Sequence, residues 1–443
     1  MMRRLLAALA LAATTLLTAC HFSGTDDERI CRAILPAINP AGAAIRVTRS
    51  FVEQGTIHIN YEATTTGRMR HRFIVCQFGD GFHFTPGRDL IAVTTEQGAM
   101  SDASLLFLKR FYLSSPEAIW NEPGAARLAE LPSLPPTTAL ILQHALAALP
   151  SLAIYALIAA SYALIYGIVG RILFGFGEFA VIGGTATTLS IIAGLIVSPS
   201  FAITVSLIGI MMGVVAAAWH GLATERLVVA PLINQRGLPI LIATTGMAIA
   251  LAEYVRLSQG QGGRWLSPML SFPVMVARTD SFSVTVTPIA LIAAISGFAA
   301  AFALSHLMKR GRFGRQWRAL ADDPLAAALC GVDARAVFTL SFLLAAALAG
   351  IAGVLTTLSF GGVGYAQGLG LTLKALTAAI LGGIGSVRGA LWGGVTLGLF
   401  EAIWSATMPI ETRDIAVYSI LALTLILRPS GLFGERAVAP HPV

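Results

Sequence analysis

The chain has 443 residues, of which 56% are hydrophobic and 12% charged, and its formal net charge at pH 7 is +7. Soluble globular proteins are about one quarter charged, so these values and a mean hydropathy of +0.75 exclude an ordinary soluble globule. They predict a polytopic membrane protein, which we expect to be all-α in its membrane part.

The first 20 residues, MMRRLLAALALAATTLLTAC, combine a basic start, a short apolar run and the ending Leu-Thr-Ala-Cys. This pattern is typical of a lipoprotein-like signal peptide, with Cys20 as the residue that is lipidated after cleavage. An uncleaved signal anchor is the alternative interpretation. In both cases we expect the chain after Cys20 to begin outside the cytoplasm.

Residues 21–136 have the composition of a soluble domain. The alternating stretches TIHINYEA and RHRFIVCQF predict half-buried strands. The stretch SDASLLFLKRFYL predicts an amphipathic helix that begins at a Ser101 or Asp102 cap. We expect a small α+β extracytoplasmic domain, to which the sequence assigns no role.

This domain contains two cysteines, Cys31 and Cys76, in what we expect to be an oxidising compartment. A disulfide between them is one interpretation and two buried free thiols are the other. His58, His71 and His83 lack the close spacing of metal ligands, so no metal site is predicted.

The Pro-rich stretch LPSLPPTT leads into residues 137–443, which contain nearly uncharged windows of about 20 residues, the length of a membrane-spanning helix. Nine such windows begin near Ala139, Phe179, Phe201, Leu238, Pro288, Val337, Leu371, Ala390 and Ile415. The last three are short enough for one of them to be broken or re-entrant. We expect about eight to nine transmembrane helices.

Lys and Arg residues predict the topology, because they collect on the cytoplasmic side of a membrane. If the first span runs inwards, most of them fall in inner loops, whereas Arg264, Arg278 and Arg413 fall in outer ones. This places the C-terminus and the segment 308–336 in the cytoplasm and accounts for most of the net charge. No basic cluster is interleaved with stacking aromatic residues, so no nucleic-acid partner is expected.

The segment 308–336 contains GRQWRALADDPLAAALCG at 314–331, a dense group of charged and small residues. Asp323 suits a helix N-cap, Pro324 the first helical position and Gly331 the left-handed residue after a helix. Leu325 and Leu329 then share one face of a short helix. A solvated connecting loop is the alternative interpretation.

The stretch from Arg318 to Gly331 resembles the coupling loop of permeases in the branched-chain amino acid ABC transporter family, whose pattern is Arg-Ala-x-Ala-x-Asp followed by Ala and Gly. Three further blocks agree with this family in order: ALIYGIVGRILFGFGEFAVIG (163–183), ERLVVAPL (225–232) with LIATTGMAIAL (241–251), and LKALTAAILGGIGSVRGALWGG (373–394) followed by Glu401. The resemblance covers residues 145–434 and leaves out the N-terminal domain.

The resemblance implies the transmembrane subunit of an ATP-driven importer in the bacterial inner membrane, moving branched-chain or other amino acids. The expected partners are a second permease subunit, cytoplasmic ATPase subunits and a periplasmic solute-binding protein. The residues carried over to ATPase docking are Arg318, Asp323, Leu325, Leu329 and Gly331.

The chain contains no G-x-x-x-x-G-K-[ST] phosphate loop. No cofactor is therefore expected in it, and ATP with Mg²⁺ would be bound by the partner ATPases. No enzymatic activity is expected either, since no nucleophile and base, carboxylate pair or metal cluster has a recognisable arrangement.

Charged side chains inside a span are costly and normally face a partner or a water-filled path. Glu178, Lys374 and Glu401 are therefore candidates for the translocation pathway, and Glu253 for a structural or interfacial role. The alternatives are an interfacial Glu178, a Lys374 that extends to the membrane surface, and a Glu401 that only pairs helices. A pair between Glu401 and Lys374 across helices is a further hypothesis.

Four glycines near these charges, Gly382, Gly383, Gly385 and Gly389, permit a broken helix or close packing of helices. We expect tight helix packing rather than direct contact with the solute.

One segment departs from the family, which usually has Asn-Phe-Ala-His-Gly-Glu where residues 173–178 read LFGFGE. An Asn and a His are thus replaced by apolar residues, which leaves the solute open, because relatives also carry urea, short amides and other amino acids. Two alternatives remain. One is an ATPase-independent channel or carrier for a small solute such as urea or amides, and the other is a membrane-anchored, lipoprotein-like sensor built on a degenerate permease.

Overall fold

The computed structural model describes residues 25–113 with gaps at 41–42, 54–55, 66–67 and 80–88, isolated residues at 115, 118 and 123, and residues 132–432 with gaps at 199–200, 234, 236–237, 261–263, 267–269, 272, 280–281, 384 and 429. The predicted signal segment with Cys20 lies outside the described residues. Two compact units form, one up to Ala139 together with Leu270–Thr285, and the other from Leu140–Met269 and from Val286 onwards.

In the first unit, a helix packs against an antiparallel sheet whose strands follow chain order. Its elements are α1 (Thr25–Ile38), β1 (Ala44–Glu53), β2 (Thr56–Thr65), β3 (Arg68–Gly79), β4 (Asp89–Thr95) and β5 (Gly98–Ala99). Alternation along β2 turns Ile57, Ile59 and Tyr61 towards the core shared with α1, where each is at most 2% exposed. The α+β fold predicted here is confirmed, and its location outside the cytoplasm stays a prediction.

A disulfide joins α1 to β3 between Cys31 and Cys76, whose Cα atoms are 6.0 Å apart. His58 lies on β2 and His71 on β3, whereas His83 lies outside the described residues. Within the part of the chain that the structure describes, no three His, Cys, Asp or Glu side chains form a group that would hold a metal.

A short helix, α2 (Asp102–Phe107), follows the sheet and continues as a π-helical turn (Leu108–Tyr112). It begins where the sequence predicts, because Ser101 Oγ accepts a hydrogen bond from Ser104 N at 3.3 Å. The segment Leu270–Thr285 also belongs to this unit. It carries most of a hairpin of β6 (Val274–Arg278) and β7 (Ser283–Val286), which no pattern in the sequence predicts.

The second unit is helical. Its helices are α3 (Pro136–Val169, which starts just before the unit boundary), α4 (Phe176–Val197), α5 (Ala202–Thr224), α6 (Pro239–Gln259), α7 (Pro288–Arg310), α8 (Arg312–Asp322), α9 (Pro324–Leu329), α10 (Ala334–Phe360), α11 (Gln367–Gly382), α12 (Val387–Thr407) and α13 (Arg413–Leu427). A π-helical turn (Glu225–Val229) and one more helical turn (Ala230–Leu232) extend α5.

Each of the nine apolar stretches contains a helix, but the expected count of eight to nine spans is not confirmed. Among the described residues, six helices are long and apolar enough to cross a membrane, namely α3, α4, extended α5, α6, α7 and α10, or seven spans if α11 and α12 count as one. These two helices are bent by 114° at their junction. Two of the three remaining helices are short, since α11 has 16 residues and α13 has 15, against about 20 for a full span. The third, α12, has 21 residues and counts only together with α11.

Small residues bring the central helices together, as expected where lipid supplies no hydrophobic drive for helix association. A Cβ on Gly183 of α4 would lie only 2.8 Å from the Cα of Gly350 on α10.

Leu173 and Phe176, the two apolar replacements in the family pattern, are both 2% exposed. Phe176 packs edge-on against Tyr162, with ring centroids 5.6 Å apart, so both replacements belong to the packed core in this structure.

Candidate functional site

The segment 308–336 is built on α8, an amphipathic helix that holds its position by burying one face. Phe313, Trp317 and Leu320 recur at helical spacing and are all buried. Trp317 Nε1 donates a hydrogen bond to the Leu164 carbonyl of α3 at 2.9 Å. Its ring lies against Gly167, where a Cβ would be 2.4 Å from the ring. The segment is therefore attached to α3 by a specific contact.

Helix α9 follows α8 with the start and end that the sequence predicts. Asp323 Oδ1 accepts hydrogen bonds from Leu325 N at 2.9 Å and Ala326 N at 3.0 Å, and Pro324 is the first helical residue. Gly331 follows the helix with φ +81°, the left-handed conformation that glycine adopts readily. These local interactions define a short helix rather than an irregular loop.

The two leucines of α9 point away from the unit. Leu325 is 73% exposed and Leu329 is 83% exposed, whereas Ala327 between them is 3% exposed. An exposed pair at i and i+4 forms an apolar ridge of one helical turn. Such a ridge fits into a hydrophobic groove of a partner.

Arg318 lies in α8 and forms a hydrogen bond within the segment 308–336. Its guanidinium Nη1 donates to the carbonyl of Met308 near the end of α7. Arg315 similarly donates to the Arg310 carbonyl at 3.1 Å. These bonds cap carbonyls that the end of a helix leaves without partners. Arg318 therefore stabilises the joint between α7 and α8, and its role in ATPase docking stays a prediction.

Glu178 lies in the first turn of α4 and is 4% exposed. Its Oε2 accepts a hydrogen bond from Thr372 Oγ1 of α11 at 3.2 Å, and the same hydroxyl accepts one from Gly177 N at 2.9 Å. The helices meet closely there, since a Cβ on Gly177 would lie 1.9 Å from the Gly368 carbonyl oxygen. No cation pairs with this carboxylate in the described part of the chain. Its favourable surroundings are the helix N-terminus and the hydroxyl group.

Lys374 and Glu401 form the ion pair across helices that is hypothesised from the sequence. Lys374 Nζ of α11 is 3.0 Å from Glu401 Oε1 of α12, and these side chains are only 9% and 8% exposed. Lys374 therefore does not extend to a surface. Tyr155 of α3 adds a hydroxyl group 3.4 Å from Lys374 Nζ, so three helices meet at this pair.

The first turn of α13 adds two more charges to this pair. Lys374 Nζ is 3.0 Å from Asp414 Oδ1, and Arg413 Nε is 2.9 Å from Glu401 Oε1. We call Lys374, Glu401, Arg413 and Asp414 the four-charge cluster. Two cations and two carboxylates balance each other, which favours the burial of Lys374 and Glu401, whereas Arg413 and Asp414 remain partly exposed.

The four glycines singled out from the sequence lie at the junction between α11 and α12. Gly383 and Gly385 have φ values of +111° and +90°, so the chain changes direction where only glycine is unstrained. A Cβ on Gly382 would lie 2.0 Å from the Gly389 carbonyl oxygen, which allows the two helices to pack in close contact. Glu253 lies elsewhere and pairs with Arg256 at 2.6 Å while remaining half exposed.

Comparison with known proteins bears on the helical unit. The family described as "Branched-chain amino acid transport system / permease component" matches residues 145–427. The chain belongs to this family of ABC transporter permeases. With its apolar helices, the permease is thus a multi-pass protein of the inner membrane. Subunits of this kind transport and are not themselves catalytic.

Three relatives illustrate the range of the similarity. The permease is 35% identical to the high-affinity branched-chain amino acid transport system permease protein LivH of Escherichia coli (strain K12), over 64% of this chain and 92% of LivH. It is 32% identical to BraD, the corresponding protein of Pseudomonas aeruginosa, over the same shares. It is 26% identical to the autoinducer 2 import system permease protein LsrC of Salmonella choleraesuis, over 50% of this chain and 61% of LsrC. No solved structure matches the chain.

Three residues of this permease were not singled out for the site from its sequence. From the sequence, Arg413 is only one of the outer-loop charges, and Asp414 carries no signal of its own beyond preceding the ninth apolar stretch directly. Glu225 is 2% exposed at the π-helical turn after α5, and its Oε2 has no hydrogen-bond partner among the described residues. The signal for Glu225 was a carboxylate at the end of an apolar run, within the ERLVVAPL block.

Proposed function

We propose that this chain is the transmembrane permease subunit of an ABC importer that moves a small polar solute, branched-chain or other amino acids, across the inner membrane. Partner subunits hydrolyse the ATP. The observation that carries the proposal is α9, a capped helix whose two leucines are about three-quarters exposed or more. A leucine side chain gains about 1.5–3 kcal/mol on full burial, so an exposed pair favours a partner.

The connection of α9 to the rest of the helical unit supports a role in transmitting force. Helix α8 precedes it directly and is attached to α3 through the Trp317 hydrogen bond to Leu164. Helix α3 also carries Tyr155, which lies beside Lys374 of the four-charge cluster. A displacement of α9 by an ATPase would therefore reach α3 through one packed connection, and α3 leads to the buried charges.

The partners and the orientation belong to the same proposal. The cytoplasmic ATPases would receive α9, and a second permease subunit and a periplasmic solute-binding protein would complete the importer. The distribution of Lys and Arg supports a cytoplasmic segment 308–336 and C-terminus. The same orientation puts the disulfide-bonded N-terminal domain in the periplasm, with Cys20 as a lipidation site.

The proposal of an amino acid substrate is supported by the similarity to the relatives. LivH and BraD are named for branched-chain amino acid transport, whereas LsrC, which is less similar, is named for autoinducer 2 import. Leu173 and Phe176 lie in the packed core. Their exchange for the family's polar residues therefore acts on the solute through packing rather than through direct contact in this conformation.

The test is co-purification from the native membrane in mild detergent. We expect ATPase subunits to accompany the wild-type chain and to be lost from Leu325→Glu, because a charge on the exposed ridge must be desolvated on docking. Leu106→Glu is the matched control, since Leu106 is 64% exposed on α2 of the other unit. It should retain the ATPases.

Two results would contradict the proposal. A wild-type chain that emerges without any ATPase would favour the channel, carrier or sensor alternatives. Equal retention by wild type and Leu325→Glu would show that α9 is an ordinary connecting helix.

A further inference from the structure

A second exposed apolar surface lies in the first unit, on α2 and the π-helical turn that continues it. Leu106, Phe107 and Phe111 are 64%, 65% and 61% exposed. The rings of Phe107 and Phe111 contact each other, with their centroids 4.6 Å apart. We call these three residues the α2 patch.

The α2 patch lies on a different side of the helix from the face that is already buried. Leu105 and Leu108 are 8% and 7% exposed and belong to the core of the first unit. A helix that is apolar all round is normally buried all round. We therefore expect a second apolar environment to cover the α2 patch.

Basic side chains accompany the patch. The segment ASLLFLKRFYL (103–113) contains Lys109 and Arg110 and no acidic residue. Lys109 Nζ donates a hydrogen bond to the Leu90 carbonyl at 3.2 Å, and Arg110 is exposed beside Phe111. Aromatic and aliphatic side chains next to basic ones are typical of helices that lie in the interface of a membrane with anionic lipids.

The chain connects the first unit directly to helices that can cross a membrane. The unit runs up to Ala139, within α3, and its second segment ends at Thr285, just before α7 begins at Pro288. Both α3 and α7 are long and apolar enough to be spans. These connections keep the unit close to the bilayer, so lipid is an apolar phase within reach of the patch.

We propose that the α2 patch inserts into the interfacial region of the bilayer, with anionic phospholipid as its partner. Its three apolar side chains enter the boundary between the headgroups and the acyl chains, and Arg110 lies at the level of the lipid phosphates. The first unit is then held at the membrane by its own surface as well as by its chain connections. The proposal is independent of the proposed function, because it involves neither the ATPases nor the solute.

The experiment uses the full-length chain in nanodiscs of equal parts phosphatidylcholine and phosphatidylglycerol. A fluorinated phenylalanine replaces Phe107, and in a matched control it replaces Phe73, which is 42% exposed on β3 of the same unit. Fluorine NMR measures the relaxation of each label by a lipid with a nitroxide near the top of its acyl chain, and by a gadolinium chelate in the water. We expect the lipid probe to relax the label at 107, at a depth of about 5–10 Å, and the gadolinium chelate to relax only the label at 73.

Variants then test the chemistry of the contact, with the label kept at 107. Phe111→Glu should lower the ratio of inserted to free patch about tenfold or more, because the carboxylate must leave water. Phe73→Glu is the matched control and should leave the relaxation unchanged. Nanodiscs of phosphatidylcholine alone should reduce insertion, because Arg110 loses its attraction to anionic lipid. Circular dichroism establishes that each variant is folded.

The proposal is overturned if the lipid probe relaxes the labels at 107 and 73 equally, or if folded Phe73→Glu reduces the effect as much as Phe111→Glu. A label at 107 that neither probe reaches would show that protein covers the patch, and one that only gadolinium reaches would show that the patch lies in water. Either result rejects insertion. Equal insertion in phosphatidylcholine alone would reject anionic lipid as the partner.

Discussion

Removing the cap of α9 by Asp323→Ala tests whether this helix is held by local bonds. The substitution removes the two hydrogen bonds that Asp323 Oδ1 accepts, from Leu325 N at 2.9 Å and Ala326 N at 3.0 Å. Loss of such a cap costs about 1 kcal/mol, within a range of about 0.5–2 kcal/mol. Helix α9 has six residues and buries only Ala327, so it has few other contacts that stabilise it.

We expect the equilibrium constant for opening of α9 to rise about fivefold, since 1.4 kcal/mol corresponds to a factor of ten. Hydrogen–deuterium exchange read by mass spectrometry measures it, and peptides covering 324–331 should exchange about fivefold faster. ATPase retention should fall by no more than the same factor, because docking weakens only as far as the folded population of α9 falls.

Asp333→Ala is the matched control for this experiment. Asp333 Oδ1 caps α10 with the same geometry, accepting from Arg335 N at 3.0 Å and Ala336 N at 3.1 Å. Helix α10 has 27 residues and is largely buried, so removal of its cap should have only a local effect. Exchange at 324–331 should stay unchanged. Unchanged exchange in Asp323→Ala would refute the reasoning, and equal acceleration by both variants would show that α9 responds to general loosening instead.

Three further outcomes are expected. Gly382→Ala should destabilise the helical unit by about 1–3 kcal/mol, because its Cβ would lie 2.0 Å from the Gly389 carbonyl oxygen. Gly370→Ala, inside α11 with nothing within 4 Å of the new Cβ, should instead stabilise it by up to about 1 kcal/mol, since alanine is the better helix former. Thermal unfolding in detergent compares the two variants, and equal melting temperatures would be inconsistent with the close approach. The disulfide between α1 and β3 joins residues 45 positions apart, so its reduction should destabilise the N-terminal unit by about 4 kcal/mol on the chain-entropy estimate. Unfolding of this unit with and without dithiothreitol measures the effect, and an unchanged transition would contradict it. Burial raises the pKa of Glu28, but hydrogen bonds from Ser50 and a neighbouring arginine outweigh it and lower that pKa below its usual 4.5. This contribution to stability is therefore present above about pH 4.5 and is lost as the pH falls through the folded-state pKa, so Glu28→Gln should flatten the acid limb of a stability–pH curve, and an unaltered limb would rule this out.

Features that depend on near neighbours in the chain followed directly from the sequence. The cap at Asp323, the first-turn Pro324 and the left-handed Gly331 define α9 through bonds and φ angles within a few residues. The strands β2 and β3 likewise follow from alternation that is local to each strand. The family blocks are also contiguous stretches, which is why a resemblance visible in them agrees with the matched region 145–427.

Features that depend on how helices are placed against each other did not follow. A hydropathy window counts apolar length, so it could not separate the full-length spans from the short α11 and α13. The hairpin of β6 and β7 depends on pairing between two short segments that carry little signal alone.

The four-charge cluster combines features that the local sequence indicates with features that depend on the packing of helices. By itself the sequence predicted a membrane-embedded permease, a capped helix with two leucines on one face, and charged residues within apolar stretches at Lys374 and Glu401. Only the tertiary structure decided that Arg413 and Asp414 join them, because the junction between α11 and α12 and the rotation of α13 about its axis set which side chains meet. Distances between residues 374, 401 and 413 in space depend on packing of separate helices, which no local pattern along the chain encodes.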